Sequence, residues 1–164
     1  MDLLIDRSLH ILAGITWIGL LYYFNAVQAP ALALAKADGT AAGITKHVAP
    51  RALLWFRWAA VITWLTGAYY LMIDPRLGFA DAFLLRGQSA PIGIGAWLGT
   101  IMLFNVWVLI WPNQKKVLGL VQADDAEKAR AARVAFLASR TNVMLSIPMI
   151  FFMVVSGHGL PRVF

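Results

Sequence analysis

Two histidines near opposite ends of the 164-residue sequence are the first candidates for chemistry. His10 stands near the start of a long apolar run, and His158 stands near the end of another. If both runs are helices with these ends on the same side, the two imidazoles lie at nearly the same depth. They could then axially ligate one b-type haem held between helices. The alternative is two interfacial histidines that hydrogen-bond to water or backbone.

A second group of polar residues falls toward the opposite ends of the same helices. Arg57 is the most informative of them, because no acidic residue in the apolar runs can neutralise it. Either it snorkels to the membrane interface, or its planar guanidinium binds an anion while nearby amides bind a heterocycle. The candidate catalytic residues are Asn25, Arg57 and Asn105, and the candidate substrate-binding residues are Gln28, Arg140 and Asn142.

His47 lies apart from the other two histidines, just before the second apolar run. It is either a solvated loop residue or a general base or ligand, and the sequence leaves both open. The two histidines and the Arg57 group lie toward opposite faces. If both sites exist, they communicate by electron transfer across part of the bilayer.

Four apolar runs must position these residues. Residues 8–34 contain no Asp, Glu, Lys or Arg, and at about 1.5 Å per residue they can cross a hydrocarbon core of about 30 Å. The other runs are residues 52–73, 91–112 and 140–158. The sequence is 60% hydrophobic and 13% charged, a membrane protein's composition that leaves no length for a soluble domain. We predict an all-α, polytopic, four-transmembrane-helix bundle that forms one domain over residues 1–164.

The charges predict the orientation of this bundle. Nine Lys and Arg residues lie after the first and third runs, against four on the other side. The positive-inside rule therefore places those loops in the cytoplasm and both termini outside. The net charge of +6 then indicates contact with membrane lipid, and nucleic acid is not an expected partner. The absence of cysteine excludes disulfides, thiolate metal sites and covalently attached c-type haem.

Local patterns refine this outline. Asp124 and Glu127 form a capping box that opens a cytoplasmic amphipathic extension over residues 124–140, which we expect to continue into the last span. Residues 79–86 are expected to form a short helix on the membrane surface. Pro30 is expected to kink or end the first helix, and Pro148 to kink the last. The third run is lined by small residues typical of close helix packing and possible homo-oligomerisation, namely Gly93, Gly95 and Gly99.

Four segments resemble, in order and spacing, the N-terminal membrane domain of the bacterial membrane-bound urate oxidase (urate hydroxylase) family. They are HILAGITWIGLLYYFNAVQAP, LLWFRWAAVITWLTG, NVWVLIWPNQKKVLG and SRTNVMLSIPMIFFMVVSGHG. The resemblance implies a multi-pass protein of the bacterial inner membrane that oxidises urate to 5-hydroxyisourate and passes the electrons to a cytochrome. In that family a C-terminal cytochrome c domain typically follows, whereas this sequence ends at Phe164. The expected acceptor is an external cytochrome c or a partner subunit.

Our leading hypothesis is an oxidoreductase with one haem b on His10 and His158 and a urate pocket near Arg57. The second is a non-catalytic electron relay or scaffold subunit of a larger membrane complex. A third, a porphyrin-handling enzyme, follows from a weaker similarity to the four-helix protoporphyrinogen oxidases of bacteria, which His10, Trp17 and Gly19 carry here.

Overall fold

Helices make up all the regular structure of the part of the chain that the computed structural model describes, residues 2–158, with backbone alone for residues 157–158. The all-α prediction is therefore confirmed. The α-helices are α1 (Asp2–Tyr22), α2 (Ala29–Ala37), α3 (Ala49–Ile73), α4 (Phe79–Phe83), α5 (Ala90–Phe104), α6 (Trp111–Val117) and α7 (Asp125–His158). A 3₁₀ turn covers Gly87–Ser89, and π-helical segments cover Tyr23–Gln28, Ile44–Val48 and Asn105–Ile110.

Each π-helical segment is followed by an α-helix whose second residue is a proline: Pro30, Pro50 or Pro112. A proline in a continuing helix has no N–H to donate, and its ring collides with the carbonyl four residues earlier. Widening the preceding turn to π-helical spacing relieves that collision and keeps the helix continuous. Pro30 thus does not end the first helix, which continues to Ala37. At Pro148, by contrast, α7 stays α-helical throughout.

Three helical stretches in residues 2–158 are long and apolar enough to cross a membrane: Asp2–Ala37, Gly87–Val117 and Asp125–Ser156. The remaining long helix, α3, has 25 residues, but Arg51, Arg57 and three tryptophans lower its hydropathy. The structure thus supports three of the four predicted spans by length and composition.

The four long helical stretches pack as two pairs. α1 lies mainly against α3, and α5 lies mainly against α7, while fewer contacts join α3 to α5 and α1 to α7. The two pairs bury a common apolar core that includes Trp17, Leu21, Phe56, Met102 and Val106. This core lies between His10, which contacts α3 at Thr63, and the end of the bundle that holds Asn25 and Asn105.

Several local predictions are confirmed. The amide of Glu127 donates to Asp124 Oδ1 at 2.7 Å, and the amide of Asp124 donates to Glu127 Oε2 at 3.3 Å, which completes the capping box. α7 runs without a break from this box into the last apolar run. α4 covers the first part of the short helix expected over residues 79–86 and ends at Phe83, and it lies so close to α5 that a Cβ on Gly93 would collide with the carbonyl oxygen of Ala82.

Candidate functional site

His10 is held against α3 by a hydrogen bond from one ring nitrogen. Its Nδ1 atom lies 2.9 Å from the carbonyl oxygen of Thr63 and 3.3 Å from Thr66 Oγ1. A carbonyl oxygen only accepts, so the proton of a neutral imidazole resides on Nδ1. Nε2 then carries the free lone pair, and it has no hydrogen-bond partner among the described residues. A ligating histidine commonly shows this arrangement, with the second nitrogen donating to a backbone carbonyl.

Gly67 allows the imidazole to lie this close to α3. A Cβ on Gly67 would sit 2.9 Å from His10 Cε1 and 3.2 Å from His10 Nδ1. The glycine thus serves close approach in the middle of a helix, where it would otherwise be unfavourable. The ring of His10 is therefore positioned by three residues within one turn of α3.

Asp6 lies one helical turn before His10 and was missed by sequence reasoning, because it precedes the predicted span. Its side chain is 7% exposed, and its Oδ2 atom has no hydrogen-bond partner in residues 2–158. A buried carboxylate oxygen without a partner is costly. The Asp6 carboxylate lies close enough to the His10 imidazole for the two groups to interact electrostatically.

His158, the predicted second haem ligand, belongs to the last turn of α7, but its side chain lies outside the described residues. The pairing of the two histidines therefore stays a prediction. In the described part of the chain, no group of three or more His, Asp or Glu side chains could hold a free metal ion. A haem needs only axial ligands from the protein, since its macrocycle supplies four nitrogens.

At the other end of the bundle, the π-helical segments carry most of the predicted polar residues, including Asn25, Gln28, His47 and Asn105. Widened turns of this kind are frequent at functional sites, because they redirect side chains. A proline shortly after each of these segments was the sequence signal that could have located the π-helical turns.

The amides at this end mostly bond to neighbouring helices. Asn105 Nδ2 donates to Asn142 Oδ1 at 2.8 Å, and Asn142 Nδ2 donates to the Met102 carbonyl at 3.0 Å. Asn142 is completely buried. The structure thus brings together Asn105 and Asn142, which were predicted to act in catalysis and substrate binding.

Two further contacts join the first helix to α7. Asn25 Nδ2 donates to Ser139 Oγ at 2.8 Å and to the Leu21 carbonyl at 2.8 Å. The hydroxyls of Tyr22 and Ser146 lie 3.2 Å apart. These two serines were not identified from the sequence, in which they look like ordinary small helix residues. No hydrogen bond within residues 2–158 joins Asn25 to Arg57.

Arg57 is half-buried and stacks on an aromatic ring. Its Cζ atom lies 3.8 Å from the centroid of the Trp111 ring, and Lys115 Nζ lies 5.8 Å from the same centroid. Neither cation forms an ion pair with an acidic residue of the described chain. Two unneutralised cations beside an indole can bind a flat anion, because the charges attract it and the ring offers a stacking surface.

Besides Asp6 Oδ2, three buried polar atoms lack a hydrogen-bond partner within residues 2–158: Trp17 Nε1, Trp107 Nε1 and Gln28 Oε1. Trp107 packs edge-on against Trp58, with ring centroids 5.6 Å apart. Leaving a buried donor or acceptor unpaired costs about 1–3 kcal/mol. The described chain thus leaves two indole donors and one amide acceptor in the apolar interior without a protein partner.

Arg140 and His47 take no part in the contacts around Arg57 and Trp111. The Arg140 side chain is exposed, with Cζ 5.1 Å from the centroid of the Phe136 ring. His47 is also exposed and lines a groove on the outer surface of the α1–α3 pair. The predicted polar residues thus form separate groups rather than one pocket.

Outside the apolar helices, Asp74 closes the C-terminal end of α3. Its carboxylate is 3% exposed and accepts hydrogen bonds from the Arg76 backbone N–H at 2.9 Å, from Nε at 3.2 Å and from an Nη at 2.9 Å. The Arg76 guanidinium holds the pKa of the Asp74 carboxyl well below its ordinary value. This contact fixes the start of the loop to α4.

A comparison with protein families finds one match. The family described as "Urate oxidase N-terminal" matches residues 75–161, just over half of the chain. The match includes Asn105, Trp111 and Asn142, and it begins after His10 and Arg57. No curated protein and no solved structure matches the chain.

Proposed function

The chain belongs to the urate oxidase N-terminal family, and from that premise we propose that it is the membrane domain of a haem-dependent oxidoreductase that converts urate to 5-hydroxyisourate. The electrons pass to cytochrome c. Family membership itself indicates a function related to urate oxidase; haem, electron acceptor and site residues are our proposal. The observation that carries it is the hydrogen bond from His10 Nδ1 to the Thr63 carbonyl.

In this proposal His10 would hold haem b through Nε2, and His158 would supply the second protein ligand. The fit rests on Thr63, which fixes the tautomer, and on Gly67, which lets the ring approach α3. The haem, when bound, supplies a one-electron relay. Asp6 places its unpartnered carboxylate one turn from His10 and favours positive charge there.

The urate site lies beside Arg57. Urate is a flat anion at neutral pH with several ring N–H groups and carbonyl oxygens. Trp111 offers a stacking surface, and Arg57 and Lys115 supply positive charge. The unpaired Trp107 Nε1 donor and Gln28 Oε1 acceptor match a heterocycle that both donates and accepts. These residues bind and orient the substrate, and the indole and apolar neighbours exclude water from one of its faces.

The positions of Thr63 and Arg57 shorten the route between the two sites. His10 contacts α3 at Thr63, and Arg57 is six residues earlier on the same helix. At 1.5 Å of rise per residue this is about 9 Å along the helix axis. Aromatic side chains, including Trp17 and Phe56, fill the core at this level. We propose that electrons cross this short distance, rather than the whole bilayer.

The proposed topology retains four spans with both termini outside the bacterial inner membrane. α3 is the fourth span: its 25 residues give a length of about 37 Å, and it packs along α1, the first span. The basic residues around α2, α6 and the start of α7 then face the cytoplasm.

A non-catalytic electron relay or scaffold subunit of a larger membrane complex is the second candidate. The observation that favours it is that the family match begins at residue 75 and so leaves out both His10 and Arg57. The amides Asn105 and Asn142 are also occupied by bonds to each other, as expected of structural residues.

Optical spectra of the detergent-purified protein test the proposal. We expect a b-type spectrum that urate reduces in the wild type, that His10→Ala loses, and that the matched variant His47→Ala keeps. Arg57→Gln should keep the haem but need more urate for its reduction. Haem retained in His10→Ala would exclude that ligand, haem that urate never reduces would favour the relay, and a colourless wild type prepared with haem would favour a scaffold.

A further inference from the structure

A groove of about 630 Å³ runs along the outer surface between α1 and the start of α3. Its walls are mainly apolar and include Ile15, Leu20 and Trp55. Trp55 is 67% exposed, so the indole stands beside the groove rather than in the core.

Gly19 opens the middle of this groove. A Cβ on Gly19 would meet no atom within 4 Å, so the glycine is not required for packing between the helices. The polar Thr16 in the lining is already bonded to the Leu12 carbonyl at 3.0 Å. The middle of the groove therefore offers apolar surface without an open hydrogen-bonding demand.

One end of the groove is basic. His47 and Arg51 line it there, and both side chains are exposed. No acidic residue lines the groove, and Arg51 forms no ion pair within the described chain. The groove thus combines a cationic end with an apolar length, which is complementary to an amphiphile with an anionic head.

We propose that this groove binds one anionic phospholipid of the cytoplasmic leaflet, with its phosphate on Arg51 and His47 and one acyl chain along Gly19. The cationic end lies at the start of α3, on the side where the basic loops are. Basic pockets between membrane helices at that face suit anionic head groups. This site is independent of haem and urate, and it gives a role to His47, which the proposed function leaves unused.

Native mass spectrometry of the full chain with added lipid tests the site. The wild type should hold one phosphatidylglycerol and bind phosphatidylcholine much more weakly. The double variant Arg51→Ala/His47→Ala should bind phosphatidylglycerol roughly fivefold or more weakly, because one arginine near the membrane surface contributes about that factor and His47 adds a hydrogen-bond donor. Arg130→Ala, which removes an exposed arginine of α7 that does not line the groove, should bind as the wild type does.

The variant Gly19→Trp distinguishes lipid binding in the groove from a general attraction of anionic lipid to surface charge. It should abolish binding of phosphatidylglycerol while leaving the helical circular dichroism and the elution volume unchanged, because the indole enters open space. Equal binding of the two lipids would overturn the proposal, and so would an unchanged Kd for phosphatidylglycerol in Gly19→Trp. A lipid-free dimer with Trp55 in its interface would also overturn it.

Discussion

The Nδ1 atom of His10 lies 2.9 Å from the carbonyl oxygen of Thr63, and this hydrogen bond fixes the point at which α1 meets α3. It crosses 53 residues of sequence and orients the imidazole with Nε2 unprotonated. Because Arg57 is only six residues from Thr63, the same contact sets the separation between the proposed haem and urate sites. The proposed haem site therefore depends on the α1–α3 pair, and the proposed urate site also depends on the contact between α3 and Trp111 of α6.

Gly67→Ala should displace the His10 ring without removing it. The new methyl group would lie 2.9 Å from Cε1, and overpacking of this kind costs about 1–3 kcal/mol. We expect reduced haem content and a shifted spectrum, measured in detergent. Gly19→Ala is the matched control, because a Cβ there meets nothing within 4 Å. Equal haem content in both variants would contradict the role of Gly67.

Asn142→Ala should destabilise the bundle strongly. It leaves the buried Asn105 Nδ2 unpaired and removes one of the hydrogen bonds to the Met102 carbonyl, and a buried unpaired group costs about 1–3 kcal/mol. Denaturant unfolding in mixed micelles, followed by circular dichroism, measures the loss. Asn113→Ala is the control, since Asn113 bonds only to the Leu109 carbonyl of its own turn. The interpretation fails if the two variants unfold alike.

Arg57→Lys should weaken urate binding while leaving the haem spectrum intact. Lysine keeps the charge but lacks the planar face that stacks on Trp111, and the lost cation–π contact corresponds to about 0.5–2 kcal/mol. We expect a higher KM for urate with a smaller change in kcat. Arg133→Lys, an exposed change on α7, should leave both constants unchanged. An unaltered KM in Arg57→Lys would remove Arg57 from the site.

Gly93→Ala should be poorly tolerated. A Cβ at this position collides with the backbone carbonyl of Ala82, whereas a Cβ on Gly99 of the same helix meets nothing within 4 Å. A backbone obstacle cannot rotate away, so we expect a loss of about 1–3 kcal/mol or more in Gly93→Ala and little change in Gly99→Ala. Thermal unfolding in detergent compares them. Similar midpoints would show that α4 is not held against α5 in solution.

Asp74→Asn should lower stability in a pH-dependent way. The pKa of Asp74 is lower in the folded protein than in the unfolded chain, so its contribution is present at neutral pH and is lost as the pH falls below about 4 toward the folded value. We expect the variant to be less stable at neutral pH and to approach the wild type in acid. A pH-independent difference would contradict the role of ionisation.

The sequence by itself determined which segments are helical and, for several of them, roughly where the helix begins or ends. Long apolar runs must form helices in order to satisfy their backbone groups in a membrane, and Asp124 with Glu127 capped α7 as predicted. The family was also recognisable from motifs such as IWPNQKK, and the later match covers that segment. These features depend on local chemistry, which the sequence contains completely.

Tertiary structure alone decided which polar atoms meet. The sequence placed Asn105 and Asn142 in one region, but their hydrogen bond depends on how α5 and α7 are rotated against each other. The sequence left two environments open for Arg57, the membrane interface or a pocket with amides. In the structure the guanidinium of Arg57 stacks on the Trp111 ring. The spacing of residues along the chain sets which face of its own helix a side chain occupies. The partner that the side chain meets depends on helix order, on helix rotation and on the widened turns before Pro30, Pro50 and Pro112. Those depend on packing over the whole bundle, which no single segment encodes.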